Sequence, residues 1–200
     1  MVAVITGDIV NSRKVAINLW MPKLKEELNK VGTEPKFWEI YRGDSFQLQT
    51  TPQNALVTAL KLKATIKQFK KLDVRMAIGI GDVGYQAAKI TESNGDAYVY
   101  SGECFENLKK QTLAIKSPWE AFDTTINLML EIMGLTINSW TQNSAFLVKE
   151  FLDNPNSTQK ALAQLLNKKQ SNISAGLKRG GYDEIQKIIN YYTNQINVLC

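Results

Sequence analysis

Two aspartates, Asp8 and Asp44, are the residues of this sequence whose placement could do chemistry. Asp8 follows a short apolar run, Val2 to Thr6, and Asp44 sits in a Gly43-Asp44 turn between two strand-like segments. If the strands carrying them are neighbours, the two carboxylates face each other across a gap of about 5 Å. Like charges that close repel, so one must take a proton unless a cation neutralises the pair. A hard divalent ion does so, and Mg²⁺ uses one or two carboxylates together with phosphate oxygens and water. Backbone N–H groups of Ile9 to Ser12, leading into a first helix, could receive those phosphates. Arg13 and Arg42 stand in the same neighbourhood as partners for phosphate oxygens. The phosphate side of such a site takes in Val10, Asn11, Ser12, Arg13, Arg42 and Gly43. The plainer alternative stays open: Asp8 as a cap and Gly43-Asp44 as an ordinary turn.

Other chemistry is excluded by composition. There is no histidine, which removes Ser-His-Asp triads, Cys-His pairs and histidine-bound zinc. The two cysteines, Cys104 and Cys200, have no metal or redox spacing and read as free thiols in a reducing compartment. Gly79-Ile80-Gly81-Asp82-Val83-Gly84 fits G-x-G-x-x-G, but a polar loop follows it instead of a long helix. Flexible glycines at a strand end explain it better than a dinucleotide site. No apolar run reaches the ~20 residues of a membrane span. The N-terminal Val2–Thr6 run meets Asp8 too soon for a signal segment, so it reads as a first strand and the chain as cytoplasmic.

The elements that must position the aspartates follow from periodicity. After the first strand, Ile17, Trp20, Leu24, Leu28 and Val31 mark a helix, with Pro22 expected in its first turn. Residues 36–50 read as a hairpin around Gly43-Asp44. Ala55, Ala59, Leu62, Ile66 and Phe69 mark a second helix, and Val74, Met76, Ile78 and Ile80 alternate as a strand. The order is β-α-β-β-α-β, the split βαβ arrangement of ferredoxin-like and palm domains. With strands ordered 4-1-3-2, the first and third are neighbours and both aspartates lie at one end. A loop to about Gly95, a short Tyr98–Tyr100 strand and a helix from Ser101 to about Lys110 are expected next. Beyond Pro118 only helical patterns appear, which places a domain boundary near Ser117-Pro118: 1–117, then an all-helical 118–200.

The helical tail is where the charge lies. The chain has 44% hydrophobic and 22% charged residues and a net charge of +5, of which +4 falls from Ser157 onward. Such asymmetry points to a polyanion partner. Within 157–179, a Ser/Thr-capped helix with Leu162, Leu165 and Leu166 leads through Asn167-Lys168-Lys169 to a second helix. Ala163, Ile173 and Leu177 fall where two crossed helices pack. Lys168, Lys169, Gln170, Ser171, Asn172, Ser174, Lys178 and Arg179 are left as residues that read base edges or hold phosphates. The alternative is a plain helical hairpin with solvated lysines. The last stripe, Ile185 to Leu199, must pack back on the chain or pair with a second copy in a homodimer.

Three motifs in order, Thr6-Gly7-Asp8-Ile9-Val10, Tyr41-Arg42-Gly43-Asp44-Ser45-Phe46 and Val74–Ile80, resemble those of class III nucleotidyl cyclases and diguanylate-cyclase palms over residues 1–110. The resemblance implies metal ligation by Asp8 and Asp44, with the Ile9 carbonyl between them. It departs at Gly95–Glu103, which lacks the Asn and the transition-state Arg of active cyclases. Residues 157–179 resemble bacterial repressor-type helix-turn-helices, and the whole chain is similar to the SatD family of small bacterial proteins. The expectation is therefore an α+β protein: a ferredoxin-like, nucleotidyl cyclase-like palm followed by a helix-turn-helix domain. Its expected role is a DNA-binding regulator responsive to a nucleotide with Mg²⁺. A divergent cyclase or nucleotide polymerase, or a protein–protein adaptor, are the alternatives.

Overall fold

The computed structural model describes residues 1–200. The protein is α+β, with eight helices and one mixed sheet of five strands. The strands are β1 (Val2–Val10), β2 (Trp38–Tyr41), β3 (Ser45–Thr50), β4 (Asp73–Gly81) and β5 (Leu113–Lys116), in the order β2-β3-β1-β4-β5. Strand β1 pairs antiparallel with both β3 and β4, while β5 joins β4 in parallel. Alternation along each strand then decides the two faces. Ala3, Ile5 and Ile9 share a core with Met76, Ile78 and Ile80, and with Trp20, Leu24 and Leu56 from helices α1 (Ile17–Asn29) and α2 (Pro52–Ile66). Val4 and Ala77, on the opposite face, meet α3 (Asp96–Glu106) and the residues after it.

Helix α3 lies so close to the sheet that only glycine fits beneath it. A Cβ on Gly79 would stand 2.2 Å from the Ala97 carbonyl oxygen and 2.3 Å from the Ser101 nitrogen. One on Gly81 would meet the Ala97 nitrogen at 2.8 Å. The first two glycines of the G-x-G-x-x-G run are thus explained by close approach of a helix, not by flexibility of a strand end. The same contact corrects the expected Tyr98–Tyr100 strand, because these residues are helical. Their aromatic and β-branched character favours strands only weakly, and burial of Ala97, Tyr98 and Ser101 against the sheet decides otherwise. Ser101 caps nothing; it lies inside α3 with its hydroxyl 3.0 Å from that of Thr6. Pro22 is also displaced from expectation. It is the sixth residue of α1, where both it and Asn18, whose carbonyl loses its usual donor, are exposed to water.

Past Pro118 come α4 (Glu120–Ile137), α5 (Gln142–Asp153), α6 (Gln159–Leu165), α7 (Gln170–Gly180) and α8 (Tyr182–Leu199). The core does not stop at Ser117. Phe122, Ile126, Val148, Tyr192 and Ile196 belong to the same cluster as the sheet residues. The α8 stripe is consumed inside the chain: Ile185, Tyr192 and Ile196 are buried, and the Tyr192 hydroxyl donates to the Pro52 carbonyl at 2.6 Å. A second, smaller core joins Leu147 and Phe151 of α5 to Leu162, Ala163, Ile173 and Leu177 of α6 and α7. No helix is long and apolar enough to cross a membrane.

Candidate functional site

The two aspartates are brought together by register. Asp8 stands opposite Ser45 on one side and opposite Arg75 on the other, and the Ile9 N–H donates to the Asp44 carbonyl at 3.0 Å. Asp8 and Asp44 line one cleft of about 600 Å³ with Ile9, Val10, Asn11, Ser12, Arg13, Lys14 and Arg75. Arg42 and Gly43 do not line it. They form the exposed hairpin turn, both with positive φ, of 54° and 84°. Nor does a helix N-terminus open onto the cleft. Strand β1 continues through Val10, Asn11 takes a left-handed conformation, Ser12–Lys14 form a single 3-10 turn, and α1 starts only at Ile17. The Ile9 N–H, spent on Asp44, is not free for phosphate.

Neither carboxylate is bare. Arg75 grips Asp8 as a fork, Nε to Oδ1 at 3.0 Å and Nη2 to Oδ2 at 2.6 Å. Its guanidinium also lies 5.4 Å from the centre of the Phe105 ring. The Asp8 hydrogen bond raises the Arg75 pKa against the opposing effect of burial. Asp44 accepts from the Ser12 hydroxyl at 2.6 Å, and its other oxygen makes no hydrogen bond within the protein. No three acidic or sulfur side chains converge anywhere in the chain. The cleft therefore carries Arg13, Lys14 and Arg75 against Asp8 and Asp44. Lys14 and Arg75 were missed by sequence reading. Arg75 was discoverable, since β4 beside β1 in antiparallel register puts it on the same face as Asp8.

The tail presents a different surface. Thr158 caps α6 by accepting from the Ala161 N–H at 3.1 Å. The chain turns through Asn167, at φ 50°, and restarts as α7 after four intervening residues. Ile173, Gly176, Leu177 and Gly180 form the inward face of α7. A Cβ on Gly176 would lie 2.2 Å from Leu147 Cδ1 and one on Gly180 2.6 Å from Val148 Cγ2, so α7 sits tightly on α5. The Trp140 indole N–H secures its end by donating to the Gly180 carbonyl at 2.8 Å.

Lys168, Lys169, Gln170, Ser171, Asn172, Ser174, Lys178 and Arg179 are all exposed. Between Asp153 and Asp183 the only charged residues are Lys160, Lys168, Lys169, Lys178 and Arg179, and none makes an ion pair. A polar hollow of about 420 Å³ at the start of α7 is lined by Lys160, Gln164, Asn167, Lys168, Lys169 and Gln170, with Ala163. No side chain caps α7, so the first-turn N–H groups of Gln170 and Ser171 are left for an external acceptor. Compared with protein-family models, curated proteins and solved structures, the chain finds no match.

Proposed function

We propose that this protein binds duplex DNA through α6 and α7, used as a helix-turn-helix with α7 in the major groove. The observation that carries the reading is the cation-only surface: five basic residues without ion-pair partners and without one acidic residue among them. Lysines and arginines left unpaired are ready to neutralise phosphates, which is the main source of affinity for DNA. The uncapped start of α7, beside Lys160, Lys168 and Lys169, suits a backbone phosphate, because a helix N-terminus adds N–H donors and a favourable dipole. Gln170, Ser171, Asn172 and Ser174 are then the side chains for base edges. The 11 residues of α7 make a rod of about 16 Å, long enough to cross the groove.

The Asp8/Asp44 cleft fits the role of a nucleotide sensor better than that of an active site. Asp44 with Ser12, Arg13 and Lys14 can hold a phosphate-bound Mg²⁺, since that ion needs only one or two carboxylates. Using Asp8 as well requires Arg75 to leave it, and a phosphate oxygen is a natural new partner for that guanidinium. The whole is a nucleotide-linked DNA-binding regulator of the SatD type, built on a ferredoxin-like palm. Titration of labelled duplex with the wild type and with Lys169→Gln/Arg179→Gln tests the DNA half. About a tenfold or greater loss in the double variant, similar for all sequences, is expected. Equal binding by the two proteins rules α7 out as the contact.

A further inference from the structure

A second cleft, of about 510 Å³, opens at the other end of the sheet, between the last turn of α1 and the outer face of α2. Its walls are of two kinds. Phe37, Val57 and Leu62 are apolar, whereas Thr50, Asn54 and Thr58 offer hydroxyl and amide groups. Lys30 and Lys61 line it together with the Glu27 carboxylate. Its size falls within the range of small-molecule sites, and its lining mixes apolar and polar residues.

The charges beside it do not balance. Lys149 bonds both Glu27 and Asp153, at 2.7 and 2.6 Å; Lys30 reaches Glu27 at 2.7 Å and Asp153 at 3.3 Å; and Lys61 reaches Asp153 at 3.0 Å. Three ammonium groups thus share two carboxylates, which leaves one positive charge, and the two lysines that line the cleft are where it is accessible. Glu27 is itself buried, so the network is held in place and not free to rearrange in water. From this we infer that the cleft binds a small organic carboxylate, its anion on Lys30 and Lys61 and its body against Phe37, Val57 and Leu62. A monoanion completes the charge count, and Thr58 and Asn54 supply the remaining hydrogen bonds. The inference is independent of the DNA-binding reading.

The test is a titration of the full chain followed by amide NMR, using benzoate, phenylacetate and indole-3-acetate against their uncharged amides. At least one carboxylate is expected to saturate with shifts centred on Asn54, Val57 and Thr58, while its amide binds about tenfold or more weakly. Lys61→Gln weakens that carboxylate by a similar factor. Because Lys61→Gln also breaks an ion pair, Thr58→Leu, outside the network, serves as the second variant: it fills the cleft and abolishes binding. The proposal is overturned if no carboxylate saturates, if acid and amide bind alike, or if Thr58→Leu binds as the wild type does.

Discussion

At the scale of single residues, the Asp8–Arg75 fork decides what the cleft can do. It neutralises one of two adjacent carboxylates without a metal ion, at a part-buried position where the guanidinium also stacks on Phe105. Replacing Arg75 by Gln removes that compensation and leaves two carboxylates, Asp8 and Asp44, in one cleft. Two outcomes are expected. Urea unfolding should show a loss of about 1 kcal/mol, modest because Arg75 is 38% exposed and water screens the pair. Mg²⁺ should bind more tightly by calorimetry, since the ion then has two free carboxylates. Unchanged Mg²⁺ affinity would show that Arg75 and the metal do not compete. Asp8 and Asp44 were legible in the sequence because one follows an apolar run and the other sits in a turn between two strand-like segments, although Asp8 lies inside β1 and not past its end. Arg75 was overlooked although the expected strand order already set β4 beside β1; pairing it with Asp8 needs the exact cross-strand register as well.

At the scale of elements, α3 and the strand after it were the least legible part of the chain. Val99 and the flanking tyrosines suggest extended backbone, and nothing local signals that the glycines of β4 make a seat for a helix. The seat is sharp enough to test. Gly79→Ala puts a methyl group against two backbone atoms of α3 that cannot rotate away. A loss of about 1–3 kcal/mol, typical of overpacking, is expected in thermal or urea unfolding. A neutral effect would mean that α3 is not held against β4. By contrast, the start of α6 and its connection to α7 were readable locally, as a Thr cap and the Asn167-Lys168-Lys169 turn, although Leu165 is exposed and not part of the apolar face. Capping and turn residues act within a few positions, so the sequence displays them directly.

For the molecule as a whole, the helices after Pro118 share the core of the sheet, and Asp153 at the end of α5 ties that helix to the first two: it pairs with Lys30 just after α1, with Lys61 of α2 and with Lys149 of α5 itself. Burial pushes the Asp153 carboxyl up, but hydrogen bonds from Lys149 and Lys61, and their charges, outweigh it and hold the pKa at about 2, below the ordinary 3.8. A folded-state pKa below the unfolded value contributes stability that is complete above about pH 4 and is lost as the pH falls towards 2. The contribution is about 2 kcal/mol. Asp153→Asn should cost roughly that much at neutral pH and flatten the acid limb of the stability profile, measured by urea unfolding between pH 2 and 7. An unchanged acid limb would place the acid sensitivity elsewhere. Such a network was not readable beforehand, since its five members come from helices far apart in the chain.

The central claim is that the unpaired cations of α6 and α7 meet DNA phosphates, and the salt dependence of duplex binding tests it most directly. Each neutralised phosphate releases condensed counterions, so five cations acting together give a slope of log K against log salt of about −4. Fluorescence anisotropy of a labelled duplex from low to physiological salt measures that slope on the full chain. A slope near −4, reduced by about 2 in Lys169→Gln/Arg179→Gln, is the predicted result. No binding at low salt, or binding that salt leaves unchanged, contradicts it.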